Sequence, residues 1–505
     1  MHRICTLSAA LLLAMLATAP AWAASAPPPT EGPSGVARSD YETAWQSAIS
    51  TAASGNLLGA MIEVERLMDD PRFERLTAAQ QSESAQLAGT VARMQGEPVL
   101  ARRYLDRSRA AQPDNAQTLL ELMYLELADD HQDQAIDLLI QACTHSRTPV
   151  EVDEDTAGFL DQTLREQPPR RLALLQALFD NGWKGDGPEP SRFWLTLARL
   201  QVDHGQGSRV PATLARIDTP LEVITLRSDK RFDRYVDRSS ARFDAEASAR
   251  RERDVLRLAG LLDSSIDAEL AAFSFAQLLA GENEQIVQFT DALAQSVDQG
   301  DRPSPAEAKW VAWLLQHRMM ALRRLDRMDE SLTAARMAQM IGTLTSDSVT
   351  HTMTLASMLS VTGHAQQAQA LLADLEGLLP YGEALRAYLQ FTTALDSADT
   401  AAAEQARAKI ISLRDEAPLF YREMLTDEGD LDGAAAVLIA QLESPEERGE
   451  TLLSLQDLRV YPSLPVDASS DRHWRALKQR DDVRAAIARV GRIEQYPLFS
   501  PETSR

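Results

Sequence analysis

The chain has 505 residues, 44% of them hydrophobic, and a formal net charge of -23 from 74 acidic and 51 basic side chains. This charge argues against a nucleic-acid backbone or an anionic membrane surface as the main partner, and the apolar fraction argues against global disorder. With 23 glycines, 24 prolines and two cysteines, collagen-like, low-complexity and disulfide-stapled classes are excluded. At roughly 150 residues per domain, the length predicts two to four folding units or one extended array.

Residues 1–23 read as a secretory signal peptide. Arg3 supplies a positive start, Leu7 to Ala19 is uncharged and largely apolar, and Ala21-Trp22-Ala23 offers the small-x-small pattern cut after Ala23. Cys5 precedes the apolar stretch and is not placed for lipid acylation. Its removal would leave Cys143 as the only thiol, which is expected to be buried. No later stretch reaches 18 uninterrupted apolar residues, so no integral membrane segment is expected after cleavage. Export, abundant alanine and the use of 46 arginines against five lysines predict a bacterial periplasmic protein. Residues 24–40, with Pro27, Pro28, Pro29 and Pro33, are expected to form an extended linker.

Beyond the linker, apolar residues recur at spacings of three and four, the period of amphipathic helices. Residues 221–302 and 306–379 lack proline, which permits long helices. Two runs, 221–226 and 458–466, look strand-like and are read as extended connectors. A 34-residue frame recurs. In frame 82–115, Gly89, Ala101, Leu105 and Pro113 occupy positions 8, 20, 24 and 32. In 116–149, Met123, Ala135 and Leu139 fall at 8, 20 and 24. In 349–382, Ala356, Gly363, Ala368, Leu372 and Pro380 fall at 8, 15, 20, 24 and 32. Weaker copies lie at 41–74 (Gly55, Ala60, Val64, Leu67), 312–345 (with Asp326 at the turn and Ser331 in place of Ala) and 415–448 (Gly429, Ala434, Leu438). Small residues at 8 and 20 let two helices approach, a turn residue near 15 ends the first, and Pro near 32 ends the second.

This pattern resembles the tetratricopeptide repeat family, on about three strong and three weaker frames. The resemblance implies an all-α fold: an α-solenoid of stacked antiparallel helix pairs forming a right-handed superhelix with a concave recognition face. The expected organisation is an N-terminal helical array over 41–227, a charged connector over 228–254, a C-terminal array over 255–460 and a capping segment over 461–505. The connector has eight basic and seven acidic side chains in 27 residues and marks the expected boundary between arrays. A shorter layout also recurs: Asp70 to Leu76, Asp229 to Tyr235 and Asp471 to Leu477 each begin with Asp and place an aromatic three residues on, which reads as a capped helix start with an aromatic anchor.

No HExxH, GxSxG, GxxxxGK[ST] or GxGxxG motif is present, and the eight histidines are scattered. No catalytic residue, cofactor or metal site is therefore assigned. In the repeat family, positions 2, 5, 9, 12 and 13 of the first helix line the concave face. Carried onto this sequence, they select Gln86, Arg93, Leu120, Tyr124, Trp313, Gln316, Met320 and Arg323 as partner-binding residues, with Arg324 beside them. The family's Lys and Asn set for a C-terminal carboxylate is missing. The leading expectation is a non-enzymatic periplasmic scaffold that binds another envelope or exported protein or peptide segment. The alternatives are a helical accessory protein for a glycan or lipid intermediate, which would want exposed aromatics such as Trp183 and Trp194 at a pocket, and an enzyme with an unfamiliar site.

Overall fold

The computed structural model describes residues 33–501, apart from 186, 188, 263–264 and 462–463. The expected signal peptide and residues 24–32 of the expected linker lie outside the described residues. The chain is 73% helical, with 25 α-helices and two short strands among the described residues. It divides into two compact units, residues 1–186 and 187–505.

The first unit holds α1 (Pro33–Ala53), α2 (Leu57–Asp69), α3 (Ala78–Met94), α4 (Pro98–Ala111), α5 (Ala116–Ala128), α6 (Gln132–His145), α7 (Glu154–Thr163) and α8 (Pro168–Asn181). Residues 33–40 are thus helical and not extended, because a proline at the first helical position loses no hydrogen bond and already has a helical φ. Consecutive helices pack in order, and α3 also touches α5.

The second unit holds α9 (Ser191–Asp203), α10 (Val210–Leu214), α11 (Pro220–Ser228), α12 (Ala245–Leu262), α13 (Ala268–Ala280), α14 (Asn283–Asp298), α15 (Ala308–Arg324), α16 (Met328–Gly342), α17 (Ser348–Val361), α18 (Ala365–Ala373), α19 (Pro380–Asp396), α20 (Thr400–Ser412), α21 (Pro418–Glu428), α22 (Leu431–Glu443) and α23 (Arg448–Ser454). Strand β1 (Asp457–Arg459), α24 (Ala468–Gln479), α25 (Asp481–Val490) and β2 (Gln495–Phe499) complete it. Alternate helices touch as well as neighbours: α13 meets α15, α17 meets α19, and α19 meets α21.

The helix pairs fall on the sequence frames, and the reversal inside each pair has one chemistry. Gly55, Gly96, Asp130, Gly281, Asp326, Gly363, Ala398 and Gly429 sit between the two helices of a pair with φ between 55° and 81°. In seven of these turns the next residue's N–H bonds the carbonyl five residues back at 2.8–3.0 Å, as from Glu97 to Ala92 and from Arg327 to Leu322. That bond closes the Schellman turn that ends a helix on a left-handed residue. Small residues then set the spacing. A Cβ built on Gly89 would lie 2.5 Å from Cγ of buried Leu105, so only glycine admits this approach. Ser331, where the family prefers alanine, donates to the Met319 carbonyl across its pair at 2.8 Å.

Three expectations need correction. Residues 221–226 are helical: Pro220 starts α11, and Val223, Ile224 and Leu226 are buried in it, so tertiary packing overrides their strand-like composition. Residues 457–459 form β1, paired parallel with β2 across α24 and α25. Residues 228–254 are no boundary, since they lie inside the second unit and their charges are partnered there. Arg231 pairs with Asp203 and Asp229, Asp233 with Arg492, and both Arg242 and Arg251 with Asp218.

The last elements do two things. Leu477, Val483, Ala486 and Ile487 of α24 and α25 join the core of α21 and α22. Beyond them the chain returns to the start of the unit: Arg492 N–H bonds the Ser228 carbonyl at 3.0 Å, Arg227 pairs with Glu494 at 2.8 Å, and Tyr496 and Leu498 pack on Val223 and Ile224. Arg199 of α9 likewise pairs with Glu446 at 2.7 Å.

The left-handed turns predict opposite outcomes for two substitutions. Ala398→Gly relieves a side chain held at φ 55° and is expected to raise the urea midpoint. Gly363→Ala, at φ 81° with open space where Cβ would go, is expected to cost about 1 kcal/mol. Equilibrium unfolding followed by circular dichroism reads both; equal midpoints would show that the turns carry no strain.

Candidate functional site

The candidate residues separate into two groups, one in each unit. In the first, α3 and α5 lie side by side, and their facing side chains interlock. Arg93 pairs with Glu121 at 2.5 Å, and its guanidinium lies 5.2 Å from the ring centre of Tyr124. Glu121 is 2% exposed, so Arg93 neutralises a carboxylate the core would not otherwise tolerate. Gln86 donates to Thr90 at 2.8 Å on its own helix. Leu120 is buried in the core and presents no surface, which removes it from the candidates. The half-buried Tyr124 and Arg93 remain at the surface of this face.

The second group centres on α15. Half-buried Trp313 donates from Nε1 to Asp347 at 2.8 Å, and its ring stands 5.2 Å from that of His351 and 6.1 Å from that of His317. His351 Nδ1 meets Gln316 Oε1 at 2.8 Å, and a Cβ on Gly342 would strike the His351 ring at 2.5 Å. His317 Nδ1 is hydrogen-bonded to Ser274 Oγ of α13. Met320 is half-buried against the same core. Arg323 faces Asp467 at 3.6 Å, and Arg324 lies 4.8 Å from the Tyr461 ring centre. Candidates from one helix therefore meet residues of α13, α17 and the C-terminal segment. His317, His351, Tyr461 and Asp467 were not signalled by the sequence, because Ser274, Gln316, Arg324 and Arg323, the partners that define them, lie 35 or more residues away.

The titratable His317 and His351 of the second group are closed by burial. Burial pushes the His317 imidazole down to about 3, helped by His351 and Arg324 nearby, and burial also lowers His351. Ser274 is fully buried, so the Ser274–His317 pair is closed to substrate. Burial pushes the Cys143 thiol up to about 12, which makes it an inert core residue. Among the described residues no group of three or more His, Cys, Asp or Glu side chains could hold a metal ion. No helix among them is long and apolar enough to cross a membrane. Trp183 and Trp194 are both buried and donate to the Val152 carbonyl at 2.7 Å and to Glu189 at 2.6 Å, so neither forms an exposed stacking platform.

The recurring Asp motif resolves into structure twice. Asp70 accepts from the Arg72 N–H at 2.8 Å and pairs with its guanidinium, with Phe73 buried beyond. Asp229 accepts from the Arg231 N–H at 2.9 Å and pairs with its guanidinium, with Phe232 buried beyond. Each folds a short 3₁₀ turn that anchors an aromatic. Asp471 departs from this: it lies inside α24 and starts no helix.

No family model matches the chain, and no curated protein does. Solved structures similar to it include the APC/C hetero-tetramer Cut9-Hcn1 (TM-score 0.42, 12% identity, covering 88% of this chain and 79% of that one). Naa15/Naa10 bound to HypK-THB gives a TM-score of 0.28 at 11% identity, covering 89% and 80%. The P58(IPK) TPR domain gives 0.20 at 12% identity, covering 87% and 100%. The paired-helix reading rests on the frames, the left-handed turns and the packing described above.

The buried imidazoles predict a pH dependence. Their folded pKa lies below the unfolded value near 6.5, so their contribution is complete above that pH and is lost as pH falls below it. Each unshared proton costs up to about 1.4 kcal/mol per pH unit. His317→Gln, which cannot titrate, is expected to lose about 1–2 kcal/mol less stability than wild type between pH 6.5 and 5. Parallel urea curves at the two pH values would refute this.

Proposed function

We propose that the chain is a non-enzymatic periplasmic scaffold that holds another envelope or exported protein through the α3–α5 face of its first unit. The observation that carries this reading is the Arg93–Tyr124 pair. A guanidinium fixed by Glu121 over a half-buried ring offers a flat, rigid, amphipathic contact with little side-chain entropy left to lose. It lies where the repeat resemblance puts ligand contacts. The closed Ser274–His317 pair and the inert Cys143 point the same way, since both lie in packed interior. Support for export comes from the leader-like residues 1–23.

One experiment tests both parts. Full-length protein expressed in a Gram-negative host is expected to fractionate with the periplasm and to begin at Ala24 by intact mass. Captured after in-cell cross-linking, it is expected to retain a protein that Tyr124→Ala reduces at least fivefold, with Arg93–Glu121 left intact so that the fold is preserved. A cytoplasmic chain retaining Met1 would overturn the location, and an unchanged cross-linked set would overturn the face.

A further inference from the structure

Two successive connectors between helix pairs end in a proline that starts the next first helix, Pro380 for α19 and Pro418 for α21. An aromatic seam joins these two helices. Buried Phe420 of α21 stands 5.1 Å from the Tyr381 ring and 5.9 Å from the Tyr388 ring of α19. Half-buried Tyr388 donates to Asp427 at 3.0 Å, whereas Tyr381 is 49% exposed and Leu379, just before it, 64% exposed. Half-buried Leu413 and Leu419 pack on the same Phe420 cluster. The seam therefore ends in an apolar patch open to water, to which both connectors contribute. The connectors carry charge of mostly one sign. Exposed Asp374 and Glu376 belong to the first, exposed Asp415 and Glu416 to the second. Of the cations nearby, Arg414 pairs with Asp415 at 3.7 Å, and Arg386 and Lys409 both pair with Glu383. Arg386 also donates to the Leu375 carbonyl at 2.7 Å, which fastens the first connector to α19. Asp374, Glu376 and Glu416 have no ion pair among the described residues.

We propose that this patch docks a basic segment of a partner protein, one whose aliphatic side chains are flanked by lysine or arginine. The proposal goes beyond the α3–α5 reading, concerns the second unit alone and stands or falls separately. The apolar centre selects aliphatic side chains, because Leu379 and Tyr381 gain from contacts that exclude water. The unpaired carboxylates select the flanking cations, since each accepts a charged donor without giving up a partner of its own. An acidic segment would set like charges against each other, and so would an anionic lipid surface. Tyr381 serves as the anchor, because Phe420 already holds its ring and little side-chain freedom is left to lose on binding.

The probe is a fluorescein-labelled peptide, Lys-Lys-Leu-Ala-Leu-Leu-Ala-Lys-Lys, titrated into the full chain by anisotropy beside the same peptide with glutamate in place of lysine. Wild type is expected to prefer the lysine peptide by about tenfold or more. The Leu379→Ser, Tyr381→Ser double variant is expected to bind it about fivefold more weakly, and Val99→Ser, at an 85% exposed apolar residue of the first unit, to bind it as wild type does. The Glu376→Lys, Glu416→Lys variant, which leaves the chain strongly acidic, is expected to erase the preference between the peptides. Binding that survives the double variant with unchanged helical circular dichroism is attraction to the acidic chain as a whole and overturns the proposal, as does equal weakening by Val99→Ser or no binding by wild type. If the double variant loses its helical signal, the lysine variant decides, and an unchanged preference there overturns the proposal. Sedimentation velocity tests the other occupant: wild type that self-associates while the double variant stays monomeric gives the patch to a second copy and overturns the proposal.

Discussion

A helix that is apolar on one flank must cover that flank, and in this chain it does so by turning back on itself within three residues. The turn is a single left-handed residue followed by a hydrogen bond five residues back. It satisfies helix-end carbonyls that would otherwise be stranded in a packed interior. It also fixes where the second helix starts, so that Gly89 meets Leu105, and Ala356 lies in one core with Ala368 and Leu372. The alternation of contacts, neighbour and next-but-one, follows from repeating this step. Where glycine is replaced at the turn, by Asp130, Asp326 or Ala398, the backbone keeps the same left-handed φ. The geometry is therefore imposed by the packing of the pair, and glycine is only its easiest solution.

Arginine does in this protein what lysine could not. A guanidinium has five donors in one plane and can bind carboxylates and main-chain carbonyls at once. Arg242 reaches Asp218 and the carbonyls of Leu214, Ala215 and Ile217, while Arg227 reaches Glu494 and the carbonyls of Arg238 and Phe243. These carbonyls belong to short helices and turns that have no continuing helix to satisfy them. The ratio of 46 arginines to five lysines thus has a structural use in the second unit, where irregular segments between 203 and 254 are fastened to the returning C-terminal chain. The same mixed charge that resembles a solvated linker in sequence works as fastening in three dimensions.

Legibility followed the range of the interactions. Helix pairs at 82–115 and 349–382 could be read because small residues, turn residue and terminal proline all lie within one frame, and 116–149 because Ala135 and Leu139 repeat their second-helix places. The pair α13–α14 has Ile286 at the twentieth place, and α19–α20 has Phe391 at the eighth, so each lacked one of the two small residues although Gly281 and Ala398 mark their turns. Residues 221–226 misled because a β-branched run carries no trace of the α23 helix it packs against. At the candidate sites, Arg93, Tyr124 and Trp313 could be placed from the repeat register alone. The partners that give them meaning could not: Asp347 and His351 lie one repeat on from Trp313, and Asp467 lies more than a hundred residues beyond Arg323.

The two candidate faces differ in how their cations are answered, and that difference bears on what each can recognise. Arg93 is held by Glu121 from the adjacent helix of the same array, so its charge is spent inside the scaffold and its outer contribution is shape and stacking on Tyr124. Arg323 and Arg324 are met by a segment that arrives from the far end of the chain. A contact made within the repeat forms whenever the repeat folds, whereas one made by a returning segment depends on a long closure whose entropic cost rises only slowly with length. Chain connectivity therefore has the repeat complete the first face by itself and a later segment complete the second, even though both are built from the same position on the first helix of a pair.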